Sequence, residues 1–284
     1  MENAIINYAE RTQHNFETLV QDGYDEASAA IAAHLHATTP LTPQHSEKYR
    51  LLPVEMARSA LFRVADPSKA RRFIWKEEIA LMAPQGKGKL TYTGQELRQD
   101  DRQVFMEALY LEQQTPGKAV IKINKFLDDN LGWSTGTLAR QKLDDCLTRL
   151  KATAVRIEVL RFPDALETSL IRDFVVDKAT GTIHVYFHER VRRLFDNNAY
   201  ARVVRKCEQE LPKKAYLARW LLCFYTTHAK PIDLSLTLLQ KLSGDSTPVM
   251  KEFTRKMKES LEQLVKAGFL LTFEVKDGKV HVER

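Results

Sequence analysis

The chain has 284 residues, 44% of them hydrophobic and 28% charged, enough for one large or two ordinary domains of a soluble, globular class. Its formal charge of +6 is unevenly spread: residues 1–50 hold three basic and seven acidic side chains against 40 and 30 in the remainder, so the positive excess belongs to residues 51–284. The longest apolar run, 220–225, is far shorter than a membrane span, and no basic segment followed by an apolar stretch stands at the N-terminus, so membrane and secreted classes are set aside.

Three widely spaced cysteines, Cys146, Cys207 and Cys223, suit neither a disulfide framework nor a tetrahedral zinc site, and are expected to be small buried residues in a reducing cytoplasm. A positive field favours a polyanionic partner, but many unrelated proteins share it, so the pattern of charges has to decide.

In chain order, residues 26–37 read as a short Ala-rich helix and 38–43 as a Pro/Thr linker. Strands are predicted at 72–79 and 90–93, separated by a turn through Gly86 and Gly88, and a helix at 101–113. A regular block follows: strand 119–123, short helix 125–130, turn 132–136, long helix 137–151, then strands 155–161, 169–176 and 182–188, the last two joined by a hairpin at 178–181. After the turn-forming Asp196, Asn197 and Asn198 the order repeats: helix 213–228 behind Pro212, strand 231–234, helix 236–242, turn 243–247, helix 248–266 and strands 269–275 and 279–282 closed by Asp277 and Gly278. Helix, strand, helix, turn, long helix and hairpin is the winged-helix order. The expected fold is therefore α+β, with two tandem winged-helix (helix-turn-helix) domains at 51–198 and 199–284 behind a variable extension, 1–50.

In a helix-turn-helix the second helix enters the major groove with its N-terminal residues leading. On helix 248–266, Met250, Phe253, Met257, Leu261 and Leu264 fall on one buried side, Lys251, Arg255 and Lys258 form a stripe, and Glu252 and Glu259 point elsewhere. Ser246 and Thr247 offer hydroxyls for phosphate, Arg255 can pair with both guanine acceptors, and Lys276 and Lys279 would be wing contacts to the backbone. The plainer alternative is a solvated face with Ser246 or Thr247 as N-cap. On helix 137–151, Leu143, Cys146, Leu147 and Leu150 are the buried side, Ser134, Thr137 and Gln141 face outward, and Arg140 sits on the shoulder. Asp144 and Asp145 restrict any DNA contact to its first half, and Ser134 could equally be its cap.

Other constellations read as structure. His34 and His36 have the His-x-His spacing of metal-dependent rolling-circle nucleases, but on a helix i and i+2 diverge, and no tyrosine nucleophile stands out. The string Gly86, Lys87, Gly88, Lys89 lacks the Ser or Thr of a phosphate loop. Asp100 and Asp101 sit where carboxylates cap a helix. No catalytic residue, metal or cofactor is expected.

Residues 57–62 read A-R-S-A-L-F, 91–101 T-Y-T-G-Q-E-L-R-Q-D-D, 131–136 L-G-W-S-T-G, 146–154 C-L-T-R-L-K-A-T-A and 244–247 G-D-S-T, with Lys251 following. In number and order these strings resemble the TrfA plasmid replication initiators over residues 57–284. The resemblance implies binding to double-stranded origin repeats called iterons, opening of an adjacent AT-rich segment with contact to its single strands, and help in loading the host replicative helicase with the host initiator. It also implies active monomers, a dimeric store and a cytoplasmic location. The first 50 residues match the family poorly and show no clear Gln-Leu-x-Leu-Phe box, which leaves sliding-clamp docking without sequence support. Two rivals are a winged-helix transcriptional repressor and, from another class, a nicking initiator enzyme.

Overall fold

The computed structural model describes residues 39–83 and 86–284, together with residues 12–13, 16–17, 19–21 and 25–30. The helix expected at 26–37 is described over 26–30; the rest of it, with His34 and His36, lies outside the described residues.

The protein is a mixed α+β fold. Strand β1 (Tyr49–Pro53) runs into a single helical turn, α1 (Val54–Ala57), and the short β2 (Phe62–Arg63). Next come β3 (Phe73–Ile79), β4 (Gly88–Gln95) and β5 (Leu97–Arg98), which leads directly into α2 (Gln99–Gln114). Asp101 fixes that start: its carboxylate accepts from the Arg98 backbone N–H at 2.8 Å, as a capping residue should. Beyond α2 lie β6 (Ala119–Lys122), α3 (Ile123–Lys125), a π-helical turn at Phe126–Asn130 and α4 (Thr137–Lys151). Then follow β7 (Ala154–Val159), β8 (Leu166–Thr168) and the hairpin β9 (Asp173–Asp177) and β10 (Thr182–Tyr186).

The expected strand 169–176 begins only at Asp173, as β9, and a separate short strand, β8, precedes it. Residues 169–171 cross from one sheet to another, and the end of α4 holds the crossing: the Leu170 N–H donates to Thr153 Oγ1 at 3.1 Å and Ile171 N–H to Leu150 O at 3.3 Å. β8 therefore completes a four-stranded sheet in the order β3-β4-β7-β8, while β9 joins a three-stranded one, β6-β10-β9.

A 3-10 segment, Glu189–Asn198, leads through Asn197 and Asn198, both at positive φ, into β11 (Tyr200–Val204) and α5 (Arg205–Glu210). The sequence pattern indicated none of these elements. β11 pairs antiparallel with β1, so Pro53 faces Tyr200 and Tyr49 faces Val204. The chain continues as α6 (Tyr216–Thr226), β12 (Leu234–Ser235), α7 (Leu236–Ser243), α8 (Met250–Lys266), β13 (Thr272–Lys276) and β14 (Lys279–Glu283). The last three strands form a sheet in the order β12-β14-β13, the same arrangement as β6-β10-β9.

One apolar core runs through both halves. Trp220 of α6 is buried and its indole N–H donates to Ser59 O at 3.2 Å. Arg102 of α2 forms a buried ion pair with Glu208 of α5, and Arg161 grips Glu55 with two bonds of 2.8 Å. The turn after α7 is pinned from the other half: Val64 N–H donates to Ser243 O at 2.9 Å and Arg63 Nη2 to Gly244 O at 3.0 Å.

Candidate nucleic-acid interface

Each half presents one long helix after a tight turn. α4 begins behind Gly136, in extended backbone with no side-chain cap, so Ser134 is not the cap and stands exposed in the preceding loop. Ala139, Leu143, Cys146, Leu147 and Leu150 bury one face of this helix. Thr137, Arg140 and Gln141 are exposed as expected, but Arg140 is engaged, donating to Asn124 Oδ1 at 2.8 Å and Thr135 O at 3.2 Å. Gln141 donates through Nε2 to Asp145 Oδ1 at 3.2 Å. Beside them, Leu138 is 87% exposed, a large apolar side chain on the outward face. Its position off the buried stripe is legible in the helical period, but its exposure is not.

α8 begins behind Val249, again without a side-chain cap, so neither Ser246 nor Thr247 is its N-cap. Ser246 is exposed. Thr247 serves the turn itself: its N–H donates to Asp245 Oδ1 at 2.7 Å, its carbonyl accepts from Gln240 Nε2 at 2.7 Å, and its hydroxyl accepts from Lys256 Nζ at 2.6 Å. Phe253, Met257, Leu261 and Leu264 are buried as the periodicity indicated, joined by Ser260. Met250 is not: it is 37% exposed, because the helix starts at this residue and its side chain projects past the helix end.

Lys251, Arg255 and Lys258 are exposed, and Lys251 and Lys258 have no ion-pair partner among the described residues. Glu259 does not point away from this stripe. It lies one turn after Arg255 and pairs with it at 2.5 Å, the usual geometry of residues i and i+4.

The buried positions put the two helices in register: Ala139 answers to Phe253, Leu143 to Met257, Cys146 to Ser260, Leu147 to Leu261 and Leu150 to Leu264. The outward positions then correspond as well. Thr137 answers to Lys251, Gln141 to Arg255 and Asp145 to Glu259, so each helix carries a long hydrogen-bonding side chain held by a carboxylate one turn further on.

The hairpins differ. β13 and β14 turn at Asp277 and Gly278, both at positive φ, and the strand register sets Lys276 directly opposite Lys279. Like charges directly opposite on a strand pair repel, so this tip concentrates positive charge. The β9–β10 turn holds Lys178, but Asp177 beside it accepts from Ala179 N–H and Thr180 Oγ1, and that tip carries no comparable pair.

Asp100 and Asp101 come within metal-ligand reach of Cys146, all three buried. Their oxygens are already engaged: Arg71 reaches Asp101 at 2.7 Å and Asp100 at 2.9 Å, and Arg149 reaches Asp101 at 2.9 Å. Burial pushes the Cys146 thiol well above its ordinary range, so it stands as a neutral thiol beside the two carboxylates. The cluster locks α4 against α2. Of the other cysteines, Cys223 is buried and Cys207 only half-buried.

Two long helices, each following a short helix and a turn and each accompanied by a three-stranded sheet, define a mixed α+β protein of the duplicated helix-and-hairpin class. The chain belongs to the TrfA family: the family model described as TrfA protein matches residues 33–284. It is 29% identical over 240 residues to the plasmid replication initiator protein TrfA of Escherichia coli, covering 83% of this chain and 62% of that one. The chain thus spans about three-fifths of the length of that relative. In fold it is similar to a crystal structure of domains 2 and 3 of RctB, with TM-score 0.53 and 12% identity, covering 82% of this chain and 98% of the other. Among the described residues no helix is long and apolar enough to cross a membrane.

Proposed function

We propose that this protein is a plasmid replication initiator whose two halves, 51–198 and 199–284, are winged-helix units that grip iteron repeats in duplex origin DNA. α4 and α8 are the recognition helices, and the β13–β14 hairpin is a wing on the phosphate backbone. Its work is binding and duplex deformation, without covalent chemistry. Several bound copies strain a neighbouring AT-rich segment until it opens, where flexible TA steps yield most cheaply. The exposed strands then receive the host helicase, brought with the host initiator.

The observation that carries this reading is the cation set of the second unit, in which Lys251, Arg255 and Lys258 line an outward helix face and Lys276 and Lys279 crowd one hairpin tip. Membership of the TrfA family supports origin DNA as the polyanion.

Permanganate oxidises unpaired thymines and tests the proposal on a supercoiled plasmid carrying the origin. Reactivity confined to the AT-rich tract, and dependent on both protein and supercoiling, is the expected result. Binding without reactivity would instead make the protein a repressor, and strand nicking would make it an enzyme.

A further inference from the structure

We propose that the first recognition helix reads an A·T base pair in the major groove, through Gln141 oriented by Asp145 and through Leu138, whereas the second reads guanine. This rests on the DNA-binding reading above and adds to it the base class that each helix selects.

The argument starts from the amide of Gln141, whose two ends look alike but differ in chemistry, one donating and the other accepting. A carboxylate accepts and does not donate, so the contact of 3.2 Å with Asp145 Oδ1 places the Gln141 Nε2 end on that side. The second N–H and the Oε1 oxygen remain, one donor beside one acceptor. Adenine presents the complement in the major groove, N7 as acceptor and the N6 amino group as donor; guanine, with two acceptors, does not.

At the corresponding position of α8, Arg255 is likewise held by Glu259, at 2.5 Å. A guanidinium so held still offers only donors, the pattern that matches guanine N7 and O6. The same carboxylate device therefore yields opposite base preferences in the two halves.

Leu138 supplies the second contact. It lies on the outward side of α4 between Thr137 and Gln141 and is 87% exposed, so the core does not account for it. With Trp133 and Lys142 it borders a cleft of about 610 Å³, but most of its surface stays open. The 5-methyl group of thymine is the apolar feature of the major groove, and an A·T pair offers it beside the adenine edge that Gln141 would read. The matching position on α8 is the acidic Glu252, which suits no methyl group.

Asp145 is in this view a positioning residue. Facing a polyanion it costs affinity, and in return it fixes the amide. Asp145→Asn should therefore bind DNA as tightly as wild type or more tightly, yet discriminate less.

The test selects duplexes from a randomised pool with the full chain and its surface variants, each checked for folding by circular dichroism. Wild type should select adenine at a position that Gln141→Arg changes to guanine, with a preference of about tenfold or more. Asp145→Asn should flatten that position while total affinity holds or rises, and Asp145→Glu should restore it. Replacing the adjoining thymine by uracil removes only the methyl group; it should weaken wild type about fourfold and leave Leu138→Ala indifferent. An unchanged selected sequence in Gln141→Arg, or indifference of wild type to uracil, overturns the inference while duplex binding stands. Failure of wild type to select any duplex removes the DNA-binding reading along with it.

Discussion

Single side chains separate base readout from backbone contact. Arg255→Ala should cost about 1–3 kcal/mol and relax preference at one base position, whereas Lys276→Ala should weaken all sequences alike and lower the salt slope by about one. Competition binding against single-base variants, with a salt titration, tells them apart; unchanged preference in Arg255→Ala would count against direct readout. A second residue reports on the scaffold. Glu112 is buried between the Leu41 and Gly117 backbone N–H groups, at 2.9 and 2.8 Å, and desolvation raises its pKa from the ordinary 4.5 to about 7. A carboxyl whose folded pKa lies above its unfolded one keeps more protons when folded, so stability falls as pH rises through this window. Between pH 4.5 and 7 the wild type should lose about 3 kcal/mol relative to Glu112→Gln, on the scale of about 1.4 kcal/mol per pKa unit. Urea unfolding at several pH values measures this, and parallel profiles would contradict it.

Among the elements, the turn between α7 and α8 is constrained by residues of the other half. Gly244 has φ +65°, and a Cβ there would stand 3.0 Å from Arg63 Cγ and 3.3 Å from Ala60 Cβ. Gly268 ends α8 at a similar φ of +68° with open space around it. Gly244→Ala should therefore cost more than Gly268→Ala, which bears only the left-handed penalty of about 1–2 kcal/mol. It should also weaken DNA binding, since the turn aims α8. Equal effects in thermal melts and binding curves would show that the Arg63 contact does not matter. The same elements explain what could be read from sequence. α4 and the β13–β14 turn carry local signals, a 3.6-residue apolar period and an Asp-Gly pair, and both appear where expected. β1 and β11 do not: each is five residues long, and their pairing is set by distant contacts that no local pattern encodes. Met250 falls on the apolar stripe by its spacing, but the helix starts at this residue and not at 248, so no preceding turn covers it. Glu259 departs from the expected separation of charges because a carboxylate at i+4 is within reach of the Arg255 guanidinium and folds onto it.

At the scale of the whole molecule, the two halves are joined by β1–β11 pairing, a common core and buried ion pairs. Removing one member of such a pair leaves an uncompensated buried charge, so Glu208→Ala should destabilise by about 3–5 kcal/mol, and both halves should still unfold together. Circular dichroism and tryptophan fluorescence should then trace one transition, and two separable transitions would contradict the shared core. A molecule joined in this way would present α4 and α8, the proposed recognition helices, as a unit. The claim that both engage one duplex is tested most directly by hydroxyl-radical footprinting of the full chain on a single origin repeat. Two helices in successive major grooves should protect about 20 base pairs. Protection of about half that length would mean that only one helix reads the DNA, and would contradict it.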